Sequence, residues 1–156
     1  MTFLRNAWYA ACWADELTPG EPLAKTILCD PVVLWRDGAG APVALEDRCC
    51  HRHLPLSLGQ IKGDTVQCGY HGLEFNAAGT CVAVPGQSKV PPGARVRSFP
   101  VCEKYSMIWI WPGDAACADE AMIPELPWLD HPDWVHAGGH LHMKADYRLL
   151  IDNLLD

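Results

Sequence analysis

DRCCHRHLPLSLG, residues 47–59, sets Cys49, Cys50, His51 and His53 beside Arg48 and Arg52 in one short run. A second cluster, QCGYHG at 67–72, adds Cys68 and His71. The spacing is Cys49-x-His51, sixteen residues, then Cys68-x2-His71. Soft sulfur ligands beside imidazoles on two short stretches point to a metal site. The elements that hold those stretches decide the fold.

Around them the chain reads as β. TILCDPVVLWR (26–36) is rich in β-branched and apolar residues, with a break at Asp30-Pro31. RDGAGAP (36–42) predicts a hairpin turn in which Gly38 and Gly40 supply positive φ, and VALEDR (43–48) returns to deliver the first cluster. DTVQ (64–67) is a short strand delivering the second. LEF (73–75), the turn NAAGT (76–80) and CVAV (81–84) form another hairpin. VPGQSKVPPGA (84–94) is a loop, and RVRSFPVCEKYSMIWIWPG (95–113) gives two strands that turn near Glu103-Lys104-Tyr105. Short strands at short intervals predict a mainly β fold, an antiparallel small sandwich or barrel. The two clusters are loops that this scaffold presents.

Composition shifts at 114. Residues 114–133 read as a linker. WVHAGGHLHMK (134–144) predicts one more strand. In DYRLLIDNLLD (146–156), Tyr147, Leu150, Ile151, Leu154 and Leu155 recur with helical period, so a short amphipathic helix is expected. The domain reading is therefore 1–113, a linker at 114–133, and 134–156 as the opening of another domain. The helical pattern stops without a cap, as a sequence cut off in mid-element would.

The bulk properties narrow the function. The chain is 49% hydrophobic and 20% charged, with a formal net charge of -7. It has no basic stripe, which excludes nucleic acid as an expected partner. No apolar run approaches the roughly 20 residues that span a bilayer, so no membrane partner is expected. MTFLRNAWYAAC at the start is too short and too aromatic after Arg5 for a signal peptide. Eight cysteines without a leader are expected in the reducing cytoplasm. Cys12, Cys29, Cys50, Cys81, Cys102 and Cys117 are expected to be plain thiols.

Two chemistries accept Cys49, His51, Cys68 and His71. Zinc takes two Cys and two His, but its fingers pair like with like at wider spacing. A two-iron cluster explains the mixing: both Cys hold one iron and both His the other. Two neutral imidazoles in place of two thiolates leave the oxidised centre formally neutral, which eases addition of an electron.

The residues resemble a Rieske [2Fe–2S] domain. The matches are Cys49, His51 and Arg52, then Pro55-Leu56-Ser57 and Gly59, then Cys68-x-Tyr70-His71-Gly72 and Phe75. NAWYAACWADEL, VRSFPV, IWIWPGD and DYRLLIDNLLD extend the resemblance over nearly the whole chain. They resemble the N-terminal part of a Rieske non-haem iron aromatic-ring oxygenase, in particular O-demethylases of the vanillate and dicamba type. Cys50 and Gly69 depart from the pattern where prolines are common, Leu73 where Trp is frequent, and His53 where a small residue is usual. His51 and His53, two apart on an extended segment, would point to opposite sides, so only one of them is expected to be a ligand.

The resemblance carries further implications. The fold is a Rieske-type β domain followed by a strand and short helix from the start of a catalytic domain. Electrons come from a flavin/iron–sulfur reductase, and the full-length family forms homo-oligomers, trimers among them. A mononuclear Fe(II) occurs in the full-length family, held by two His and an Asp that this chain lacks; His131, His136, His140 and His142 do not match them. His140 and His142 would share one side of a strand. The aspartate matching Asp156 bridges a cluster histidine matching His71 to an iron-bound histidine of the next subunit, and Asn153 belongs to the same motif. Respiratory Rieske proteins carry a loop-to-loop disulfide and hydroxyls that donate to the cluster. Leu73 and Phe75 offer no hydroxyl, which implies a low potential.

The function expected is thus an electron-transfer domain of an aromatic-ring O-demethylating or hydroxylating oxygenase. By itself the chain is expected to shuttle one electron without activating oxygen. A stand-alone Rieske ferredoxin and a structural zinc module are the alternatives.

Overall fold

The run VVLW at 32–35 is apolar at every position, the pattern of a strand covered on both faces. The computed structural model describes residues 3–156 and covers both. Its strands are β1 (Tyr9–Trp13), β2 (Leu23–Ile27), β3 (Asp30–Arg36), β4 (Pro42–Glu46), β5 (Gln60–Lys62), β6 (Thr65–Gln67), β7 (Glu74–Phe75), β8 (Cys81–Ala83), β9 (Val101–Lys104) and β10 (Met107–Ile110). One helix, α1 (Tyr147–Leu155), follows. The strands form three antiparallel sheets, ordered β1-β10-β9, β2-β3-β4 and β5-β6-β7-β8.

The β2-β3-β4 sheet is the middle layer. Val33 and Trp35 on β3, with Val43 and Leu45 on β4, enter a core that also holds Cys49, Leu56, Val66, Cys68 and Phe75. Val32, Leu34 and Ala44 turn the other way, into a second core with Phe99, Ile108 and Ile110. Side chains alternate across a strand, so one short sheet serves both cores. Each large side chain in these cores contributes about 1.5–3 kcal/mol by leaving water. The mainly antiparallel β architecture is as expected, and it fixes both cysteine-bearing loops on the first core.

Several elements differ from the sequence reading. Residues 26–36 are not one strand broken at Asp30-Pro31. The chain reverses at Leu28-Cys29, and Ile27 pairs with Asp30 and Thr26 with Pro31. Leu28 and Cys29 have φ of 50° and 69°. Two left-handed residues match the twist of a two-residue hairpin, even where neither is Asn or Gly. Tyr105 and Ser106 do the same at φ of 58° and 57°, overlapping the turn predicted near Glu103-Lys104-Tyr105. Between β3 and β4 only Gly40 has positive φ; Gly38 instead donates its N–H to Asp64 Oδ1 at 2.9 Å. Strands β1 and β5 had no clear signal.

The strand expected at 134–144 is absent. This segment is exposed and pairs with none of the three sheets, so its backbone has no ladder to join. It lies against Trp13 instead: the His136 ring stacks on that indole at 6.2 Å, and Gly138 packs against its edge. His140 and His142 therefore share no strand face, and His140 Nε2 lies 3.1 Å from Glu16 Oε1. Residues 114–129 carry three single 3₁₀ turns, with Ile123 buried and Trp8 Nε1 donating to Asp119 O at 2.7 Å. Helix α1 is where the periodicity put it. The Asp146 side chain caps it by accepting from Arg148 N–H at 3.0 Å, and its apolar stripe is exposed, Leu154 at 71%.

Candidate metal centre

Each donor loop leaves the end of a short strand and closes on itself. Cys49 donates its N–H to Leu54 O at 2.9 Å, and His53 N–H returns to Cys49 O at 2.9 Å. Cys68 repeats the pattern, with its N–H to Leu73 O at 2.8 Å and Gly72 N–H to Cys68 O at 3.1 Å. The two loops are thus backbone copies of one six-residue closure, each starting at a buried cysteine.

Two further features lock them. Asp47 is the buried acid at the root of the first loop, 7% exposed. Its Oδ1 accepts Ser57 N–H at 2.7 Å and its Oδ2 accepts Ser57 Oγ–H at 2.6 Å, tying the two ends of the loop together. Charge-assisted bonds in a low-dielectric setting are the strong kind. Gly59 then lets the first loop meet the second, because a Cβ there would lie 1.9 Å from Gln67 O. Sequence reading noted Ser57 and Gly59 without these roles, and passed over Asp47 altogether. A buried acid at a loop root has no local sequence signal.

The donors come together in like pairs. Cys49 and Cys68 lie in the first core at 2% and 3% exposure. Burial, with the Cys68 thiol as neighbour, pushes the Cys49 thiol up to about 11, against the lowering pull of the His51 backbone N–H. His51 and His71 are both exposed, their ring centroids 4.6 Å apart. Tyr70 lies over His71 at 3.7 Å. Among the described residues, no three His, Cys, Asp or Glu side chains gather around one point closely enough to hold a single ion. Two sulfurs inside and two imidazoles outside are the donor set that a two-iron cluster needs.

The neighbouring candidates stand apart. The segment 49–53 is a turn, not the extended run on which His51 and His53 were expected to diverge. His53 leaves the pair for another reason: its Nδ1 accepts from Arg48 Nη2 at 3.1 Å, since a guanidinium only donates. Cys50 is exposed. Leu73 and Phe75 are buried apolar residues. Asn153 and Asp156 lie at the exposed end of α1, and among the described residues no hydrogen bond joins them to the histidine pair. All eight cysteines are free, so no disulfide links the loops.

The family model described as "Rieske [2Fe-2S] domain" matches residues 7–100. The chain is 47% identical over 154 residues to the toluene-4-sulfonate monooxygenase system iron-sulfur subunit of Comamonas testosteroni, covering 99% of this chain and 44% of that protein. It is 46% identical over 154 residues to a vanillate O-demethylase oxygenase subunit of Pseudomonas sp., covering 99% and 43%. A crystal structure of dicamba monooxygenase bound to dicamba superposes with a TM-score of 0.94 at 46% identity, covering 100% of this chain and 50% of that one. The chain spans about half the length, or less, of the relatives it matches.

Proposed function

The chain belongs to the Rieske [2Fe–2S] family, and on that premise we propose that it is the electron-transfer domain of the oxygenase component of an aromatic-ring O-demethylating or hydroxylating monooxygenase. Cys49 and Cys68 hold the inner iron, and His51 and His71 the outer one. A two-iron cluster in this set takes up and returns one electron at a time.

The observation that carries this reading is the sorting of the donors, thiols in the core and imidazoles at the surface. The buried pair keeps its sulfurs away from water, which protects them from hydrolysis and oxidation. The exposed pair puts two aromatic rings where a partner protein can reach them. Asp47, Ser57 and Gly59 keep the two loops in register, so a change of charge meets a fixed scaffold. With no loop disulfide, and with apolar Leu73 and Phe75 in place of hydroxyl donors, little offsets the negative charge gained on reduction. The potential falls towards roughly −150 mV, low in the Rieske range.

The donor of that electron would be a flavin/iron–sulfur reductase, and this domain would hand the electron on towards the oxygenase's mononuclear iron site. In a homo-oligomer of the kind the family forms, trimers among them, Asp156 and Asn153 would stand at the junction between subunits; the exposed apolar face of α1, including Leu150 and Leu154, supports such contact. Eight free thiols support a cytoplasmic setting, and no helix of the described residues is long and apolar enough to cross a membrane. Metal and acid-labile sulfide analysis tests the reading. Two irons and two sulfides per chain are expected; one zinc and a colourless sample would overturn it.

A further inference from the structure

The formal charge is -7, yet the cations are unevenly offset. Arg5 faces Asp30 at 2.6 Å, Lys25 faces Glu16 at 2.8 Å, Arg36 faces Glu103 at 2.7 Å, Lys62 faces Glu74 at 3.3 Å and Arg148 faces Asp146 at 2.7 Å. Of the remaining cations, four arginines gather at the donor loops. Arg48, Arg95 and Arg97 line one open cavity of about 570 Å³ with His53, Glu46 and Cys50. Arg52 is exposed between His51 and His53. Among the described residues none of these four guanidiniums has a carboxylate within ion-pair distance, although Glu46 shares the cavity wall.

The cavity adjoins the electron-accepting face. Cys50 belongs to its wall and also to the wall of the next cavity, which carries His51. Arg97 is held in place, donating to Pro112 O and lying 4.5 Å over the Phe99 ring. The Arg95 side chain makes no hydrogen bond to the described residues. All four arginines are exposed residues, and among the described residues no buried side-chain donor lines the cavity, so it lacks the enclosed cradle of a small-anion site. Exposed cations left unmatched in an acidic chain fit the carboxylates of an acidic protein surface, which they can grip in bidentate fashion.

We propose that Arg48, Arg52, Arg95 and Arg97 form the docking socket for an acidic electron-donor protein, placing the donor's redox centre beside His51 and His71. The proposal rests on the electron-carrier reading above. Such a surface acts mainly on the rate of encounter and its dependence on salt.

The test is stopped-flow reduction of the oxidised chain by a reduced acidic plant-type ferredoxin, across a range of ionic strength. Arg95→Glu is compared with the unaltered chain, and so is the double variant Arg48→Glu/Arg95→Glu; Arg97 is left in place because it holds Pro112. The second-order rate should fall with added salt. At low salt Arg95→Glu should lower it about 10-fold and flatten the salt dependence, and the double variant should lower it further. Photoreduced deazariboflavin, which is uncharged, should reduce all three at one rate, with unchanged visible spectra. A ferredoxin rate indifferent both to salt and to Arg95→Glu would overturn the socket. So would slowing by millimolar inorganic phosphate at constant ionic strength that Arg95→Glu removes, which would mark a small-anion site. A colourless chain, read before mixing, would fell the electron-carrier reading and the socket with it.

Discussion

His53 and Gly72 occupy the same place in the two donor loops. Each returns its N–H to the cysteine four residues earlier, and each is left-handed, with φ of 59° and 73°. Gly72 takes this conformation at no steric cost, whereas His53 pays for its Cβ, a penalty of about 1–2 kcal/mol. His53→Gly should therefore stabilise the chain by about 0.5 kcal/mol once the freedom of glycine in the unfolded state is counted. Gly72→Ala should destabilise it by about 2 kcal/mol or more, since its Cβ would also meet Pro85 Cγ at 2.8 Å. Urea denaturation midpoints measure both.

Asp47 closes the first loop with two bonds from Ser57. Asp47→Ala removes both and leaves the Ser57 N–H unpaired, a loss of about 3 kcal/mol. Ser57→Ala keeps the backbone bond and should lose about 1 kcal/mol. The same order should appear in the rate at which an iron chelator bleaches the protein, fastest for Asp47→Ala.

Ligands and their neighbours should separate cleanly. Cys49→Ser, Cys68→Ser, His51→Ala and His71→Ala should each lose the visible bands and most of the bound iron. Cys50→Ser and His53→Ala should keep them, because those side chains lie outside the two donor pairs. Iron content beside the absorbance spectrum gives the readout.

Glu16 sets an acid limit on stability. Burial alone would raise its carboxyl, but hydrogen bonds from Lys25 Nζ and the Trp13 N–H, each at 2.8 Å, outweigh burial and hold it below its ordinary value of 4.5. His140 faces the same carboxylate. A carboxyl depressed in the folded state supplies stability that is complete above about pH 4.5 and drains as pH falls below it. Glu16→Gln should lose about 1 kcal/mol at pH 7 and flatten that acid limb. Denaturant titrations between pH 3 and 7 check both effects.

The four proposed donors, Cys49, His51, Cys68 and His71, stand out in the sequence because a metal site demands particular residue types at particular spacing, and the fold brings Cys49 beside Cys68 and His51 beside His71. Strands β3, β4 and β10 were legible from runs of apolar residues, β6 as the short stretch ahead of the second cluster, and β7 and β8 from the NAAGT turn between them. The turn at Leu28-Cys29 was hidden because strand pairing, not Asn or Gly, imposes its left-handed backbone, whereas the turn at Tyr105-Ser106 falls within a residue of where Glu103-Lys104-Tyr105 pointed. The segment 134–144 misled because a strand needs a neighbour, and sequence pattern does not supply one. Asp47 escaped because its partner lies ten residues away and its burial is a property of the packed fold.

The most direct measurement is pulsed electron resonance of the dithionite-reduced protein, assembled with ¹⁵N-histidine. The account predicts a paramagnetic centre coupled to two histidine nitrogens, one of which disappears in any His51→Ala or His71→Ala protein that retains residual cluster. A reduced sample with no signal, or a signal with no nitrogen coupling, would contradict it.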